Sequence, residues 1–120
     1  MRQQYLASFI PTLALAASSQ LYASHYSGTV NLLTLDGSSL KLTSSLRGCG
    51  SLPSWLTWDS ATRMLYCSDE QMSGQGSISQ FSAAADGSLT AGPKASATLG
   101  GVANALYGGA NGDGFVAIAH

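Results

Sequence analysis

Charge is what this sequence has least of. Charged residues are 9% of the 120, against about 25% in typical soluble domains. Arg2, Lys41, Arg47, Arg63 and Lys94 stand singly, and the formal net charge is −1. No basic patch marks the footprint of a nucleic acid, so that partner is not expected. Uninterrupted apolar runs of about 18 residues are also lacking, so no membrane span is expected. Outside the first residues no segment keeps a 3.6-residue apolar period, which argues against helices. Cysteine and histidine number two each, and no histidine lies near the cysteines in sequence, which does not support a structural zinc site. No cofactor is expected.

Apolar residues reach 45%, so disorder does not follow from the low charge, because disorder needs few apolar residues and high net charge. Gly, Ser, Ala and Thr fill the space that charge leaves, which suits short, closely packed elements joined by tight turns.

The first 17 residues read separately from the rest. "MRQQYLASFIPTLALAA" carries one positive charge at Arg2, then an apolar run from Tyr5, then Ala14-Leu15-Ala16. That is the order of a secretory signal, with a run too short to span a membrane. Pro11 would break a buried helix at that point. The expected division is therefore a signal peptide at 1–17 and one domain at 18–120, secreted. Its removal would leave four cations against six carboxylates, a formal charge of −2. Cys49 and Cys67 suit an oxidising compartment and are expected to form one disulfide. Closing an 18-residue loop is worth about 3 kcal/mol in the chain-entropy picture. The alternative is two separate buried thiols.

A repeat organises the domain. "LYASHYSGTVNLLTLDGSS" has the order of "LYCSDEQMSGQGSISQFSAAADGSL" once the second carries a longer loop. Leu21 matches Leu65, Gly28 matches Gly76, and Asp36-Gly37-Ser38 matches Asp86-Gly87-Ser88, at offsets of 44, 48 and 50. From Leu65 to Phe115 is another 50 residues. A period of about 40–50 residues is the signature of propeller blades. Within each unit, strands end at Asp-Gly, a hairpin signal because both central residues of the tight turn must tolerate φ > 0. "SLKLTSSL" and "SLTAGPKAS" read as outer strands, with Pro93 suited to an edge. "SWLTWD" reads as an inner strand. Its Trp55 and Trp58 are expected in the core between blades. The fold class is all-β: roughly two and a third four-stranded blades, the first lacking its innermost strand.

"GCGSLPSWLTWDSATRMLYCSDE", "GSISQFSAAADGSLT" and "GGVANALYGGANGDGFVAIAH" together resemble the lactonase family of seven-bladed propellers, most of all its fungal, secreted branch. The resemblance covers residues 20–120 and implies an N-terminal part of such a ring, the remaining blades being its partners. It implies a small-molecule partner, a lactone or sugar acid, and hydrolysis of a sugar-acid lactone of the 6-phosphogluconolactonase type. Carboxy-cis,cis-muconate cyclase, which forms a lactone, belongs to the same family and gives a second reading. A third is a non-catalytic secreted propeller that binds carbohydrate or protein, because fold does not dictate function. The cyclase's proposed His, Arg and Glu lie in later blades, so no catalytic residue carries over.

Within these residues the catalytic candidates are His120, Asp69 and Glu70. His120 ends a strand that, by the resemblance, leads to a loop near the central channel. Asp69 and Glu70 stand where a strand enters "QMSGQGS", and the plainer expectation is a pair of solvated turn acids. His25 alternates with Leu21 and Ala23 and is expected to be a packed or hydrogen-bonded strand residue. "GGANGDG", at 108–114, lacks the Lys and following helix of a phosphate loop and reads as a hairpin loop.

Overall fold

The computed structural model describes residues 18–120; the expected signal peptide lies outside them. Nine strands and no helix occupy those residues. The first sheet is β1 (Ser19–His25), β2 (Thr29–Asp36) and β3 (Ser39–Arg47). The second is β4 (Pro53–Asp59), β5 (Met64–Asp69), β6 (Gly76–Ala83) and β7 (Leu89–Ala97). The third is β8 (Ala103–Tyr107) and β9 (Phe115–Ala119). Every neighbouring pair is antiparallel and consecutive in the chain, which is the meander of a propeller blade.

The repeat in the sequence becomes a repeat of sheets. β1, β2 and β3 correspond to β5, β6 and β7, so the first sheet has three strands where the second has four. Val30, Cys49, Leu65, Cys67 and Phe81 form one buried cluster, with Tyr22, Leu46, Leu56 and Leu89 packed against it. These residues come from both the first and second sheets, so this core is the seam between two blades. Leu65 and Phe81 are fully buried, each stabilising by about 1.5–3 kcal/mol relative to exposure. A disulfide joins Cys49 to Cys67, with Cα atoms 5.7 Å apart. It ties the segment entering the second blade to that blade's second strand. β3 and β7 are exposed along most of their length. Pro93 lies in β7, at an irregularity opposite Gln80, where an edge strand tolerates its missing N–H.

One expectation about the turns changes in detail. Asp36 is the last ladder residue of β2, paired with Ser39, and Gly37 is the residue with positive φ, +59°. In the second copy Gly87 takes φ +82°, while the Asp86 carboxylate accepts from Ser88 N at 3.0 Å. Asp-Gly marks both turns, but glycine alone enters the left-handed region. In the second turn the aspartate contributes a side-chain acceptor instead.

Inner strands β4 and β8 run side by side in one direction. Ser54 Oγ donates to Gly101 O at 2.8 Å and Thr57 Oγ1 donates to Asn104 O at 2.9 Å. Both bonds span 47 residues, so the register is constant. Strand alternation then assigns every connection to an end. Loops 26–28, 48–52, 70–75 and 98–102 gather at one rim, where His120 follows β9. Turns 37–38, 60–63, 84–88 and 108–114 gather at the other.

Candidate functional site at the loop-bearing rim

Glu70 is the junction of this rim. Its backbone N–H donates to Leu52 O at 2.9 Å, and its own carbonyl accepts from Gly100 N at 2.7 Å. Its carboxylate accepts from the Tyr26 hydroxyl at 3.4 Å. Loops from three sheets therefore meet on one residue. A strand's alternation sends the neighbouring carboxylate the other way. Asp69 shares the face of Cys67 and is 3% exposed. It accepts from Leu52 N at 2.9 Å and from the Ser77 hydroxyl at 3.4 Å. A Cβ on Gly50 would overlap this carboxylate, so the loop can close over Asp69 only as glycine. The expectation of two solvated turn acids thus fails for Asp69, which acts as a buried anchor for the loop into β4.

His25 ends β1 at the same rim, hydrogen-bonded and exposed, which is the second of the two expectations for it. Its Nδ1 accepts from Ser27 N at 3.0 Å. That bond leaves Nε2 as the protonated, donating nitrogen of a neutral ring. With Ser24, Tyr26, Pro53 and Ser54, His25 lines a cleft of about 330 Å³ between the first two blades. His120 is held on the adjacent loop: its Nδ1 lies 3.1 Å from Leu99 O and its Nε2 lies 2.6 Å from the Thr98 hydroxyl. The Thr98 hydroxyl lies 2.9 Å from Nδ1 as well, so this one loop contacts both ring nitrogens.

Charge divides between the two rims. Asp36, Asp59, Asp86 and Asp113 all fall at the turn-bearing rim or on its loops, with Lys41 and Arg63 as the cations there. The loop-bearing rim holds Asp69 and Glu70 against Arg47 and Lys94, with both histidines of the described residues in addition. Of the two ends, the loop-bearing rim is the less negative. At the turn-bearing rim, hydrogen bonding from Thr62 holds Asp59 below the ordinary carboxylate value, and hydrogen bonding from Ser88 does the same for Asp86. Burial raises the Tyr22 and Tyr66 phenols.

The two tryptophans are less buried than expected. Trp58 packs on Tyr22 with centroids 5.6 Å apart and lies under the Arg63 guanidinium at 5.9 Å, so it does sit between blades. It nonetheless remains 40% exposed, and Trp55 47%. Both lie on β4, the inner strand, where one flank meets the first sheet's open edge. Sequence reasoning also missed Asn104 and Tyr26. Asn104 is 6% exposed in β8; its Nδ2 donates to Ser68 Oγ at 2.8 Å, and its Oδ1 has no partner among the described residues. A polar amide inside the apolar run "VANALY" is the one trace it leaves in the sequence. Among the described residues no three His, Cys, Asp or Glu side chains are placed to share a metal ion.

A family model described as "Lactonase, 7-bladed beta-propeller" matches residues 20–120. The chain belongs to this family. No curated protein and no solved structure matches it. Its three sheets are thus successive blades of a lactonase-family propeller, and the shared register of β4 and β8 is the inner wall of that ring. Against seven blades in the family description, the described residues supply sheets of three, four and two strands.

Proposed function

We propose that the ring containing these blades hydrolyses the lactone of a sugar acid, of the 6-phosphogluconolactonase type, at the loop-bearing rim. The observation that carries this reading is the convergence on Glu70. The main chain of Glu70 is held by two backbone bonds and its carboxylate accepts from a tyrosine hydroxyl, beside a cleft lined by a histidine whose Nε2 has no partner among the described residues. Lactone hydrolysis needs a base to take a proton from water and a donor for the oxygen that becomes negative. In this reading Glu70 accepts the water proton as the new C–O bond forms at the lactone carbonyl. His25 Nε2–H stabilises the resulting oxyanion. Collapse breaks the ring C–O bond, and the proton held by Glu70 passes to the departing alkoxide oxygen, which becomes the hydroxyl. Asp69 holds the loop in place and takes no part in the proton transfer. His120, bonded to Thr98 and Leu99, positions the neighbouring loop.

The charge division supports a negatively charged substrate at this end rather than the other. The leader-like residues 1–17 and the buried disulfide support secretion, which forms part of the same proposal. The test is acid release from a sugar-acid lactone, followed by pH-stat in protein carrying this chain. Glu70→Gln should lower kcat by about 10²-fold or more, on the scale of general-base loss, while leaving the thermal midpoint near wild type. Full activity in Glu70→Gln and in His25→Gln would refute the assignment. Lactone formation from a muconate by the same protein would favour the cyclase reading.

A further inference from the structure

We propose that Asn111 is a site of spontaneous deamidation, with the chain as its own substrate and water as the co-reactant. Three asparagines occur in the sequence. Asn31 lies in the middle strand of the first sheet, opposite Ala23 and Ser45, and precedes Leu32. Asn104 is buried in β8 and precedes Ala105. Asn111 is exposed, lies outside every strand and precedes glycine.

The chemistry requires an unhindered backbone nitrogen on the following residue and a chain free to rotate. The Gly112 nitrogen attacks Cγ of Asn111, and the new C–N bond closes a five-membered imide. The displaced C–NH₂ bond breaks, and the group leaves as ammonia with the proton from the Gly112 nitrogen. Water then adds to one imide carbonyl, and the bond from that carbon to the Gly112 nitrogen breaks with the nitrogen taking the proton; addition at the main-chain carbonyl gives isoaspartate, and addition at Cγ gives aspartate. No oxidant or reductant takes part. Gly112 has φ +79°, and nothing stands within 4 Å of where a Cβ would be. The loop closes through Gly114 N donating to Gly108 O at 3.1 Å. No backbone bond among the described residues engages Asn111 or Gly112. The ladders around Asn31 and Asn104 must open before the same attack, which exposed loops need not do.

The product would carry a further carboxylate beside Asp113, on the rim opposite Glu70. Lactone hydrolysis at the loop-bearing rim should therefore be unchanged by it. The test is incubation of the intact chain in mildly alkaline buffer, then tryptic digestion and mass analysis. The readouts are exchange of NH₂ for OH at each asparagine and isoaspartyl methylation. Asn111 should convert at least roughly tenfold faster than Asn31 or Asn104, the factor expected from opening free energies, and isoaspartate should accumulate there. Gly112→Val should slow that conversion by a similar factor. Equal rates at the three asparagines in the wild-type chain would overturn the proposal without any variant. An unchanged Asn111 rate in Gly112→Val would overturn it as well.

Discussion

Gly50 and Gly74 lie on neighbouring loops at the same rim and separate two effects of a missing side chain. Both have positive φ, +97° and +83°. A Cβ at Gly74 meets open space, whereas one at Gly50 overlaps the buried Asp69 carboxylate. Gly74→Ala should cost about 1 kcal/mol through backbone strain alone. Gly50→Ala should cost about 1–3 kcal/mol more, because Asp69 cannot retreat without losing Leu52 N. Urea midpoints of the two variants check this, and equal costs would contradict the anchoring role given to Asp69. Acid sensitivity also belongs to single residues. Asp59 and Asp86 have depressed folded-state values, set first by hydrogen bonds from Thr62 and Ser88. Their stabilisation is present above the unfolded carboxylate value and is lost as pH falls through the folded one. The thermal midpoint should therefore drop on acidification below about pH 4, and the drop should shrink in a variant carrying Asp59→Asn and Asp86→Asn.

Elements show which parts of the account were legible in the sequence. The repeat and its Asp-Gly turns placed "SLKLTSSL", "SWLTWD" and "SLTAGPKAS" within one residue of the bounds of β3, β4 and β7, because hydrophobic alternation and glycine turns are local properties. Side-chain burial at the inner strand was not legible. Trp55 and Trp58 look like core by composition, yet β4 meets an open neighbouring edge, and only the tertiary arrangement shows that. Asp69 was misjudged for the opposite reason: adjacency to Glu70 suggested a solvated pair, while strand alternation buried one member. Arg63 carries a signal no local pattern contains. It has φ +56°, its Nε donates to Ala83 O at 3.1 Å and its Nη2 to Ala84 O, and it covers Trp58. It thus clips the β4–β5 turn onto the end of β6. Arg63→Ala should cost about 1 kcal/mol, read as a shifted denaturation midpoint with blue-shifted tryptophan fluorescence absent. The disulfide works at the same scale. Reduction, or Cys49→Ser with Cys67→Ser, should cost about 3 kcal/mol, and an unchanged midpoint would show that the loop into β4 is held without it.

At the scale of the molecule the three sheets leave edges, among the described residues, at β1, β3, β4, β7, β8 and β9. β9 is "FVAIA", uncharged and rich in strand formers, with Phe115 60% exposed. Open apolar edges pair with other chains, so the 120-residue chain on its own should self-associate in sedimentation velocity. A monodisperse monomer with a cooperative melt would contradict this. The ring arrangement itself rests on strand alternation carrying four loops to one rim and four turns to the other. Paired spin labels read that placement directly, one at Met72 in the β5–β6 loop, 76% exposed, and the second at either Ser27 or Ala110. Dipolar spectroscopy should give a 72–27 distance shorter than the 72–110 distance by about the length of a strand, roughly 20 Å. Equal distances, or Ala110 nearer to Met72 than Ser27, would contradict the blade arrangement and the candidate site built on it.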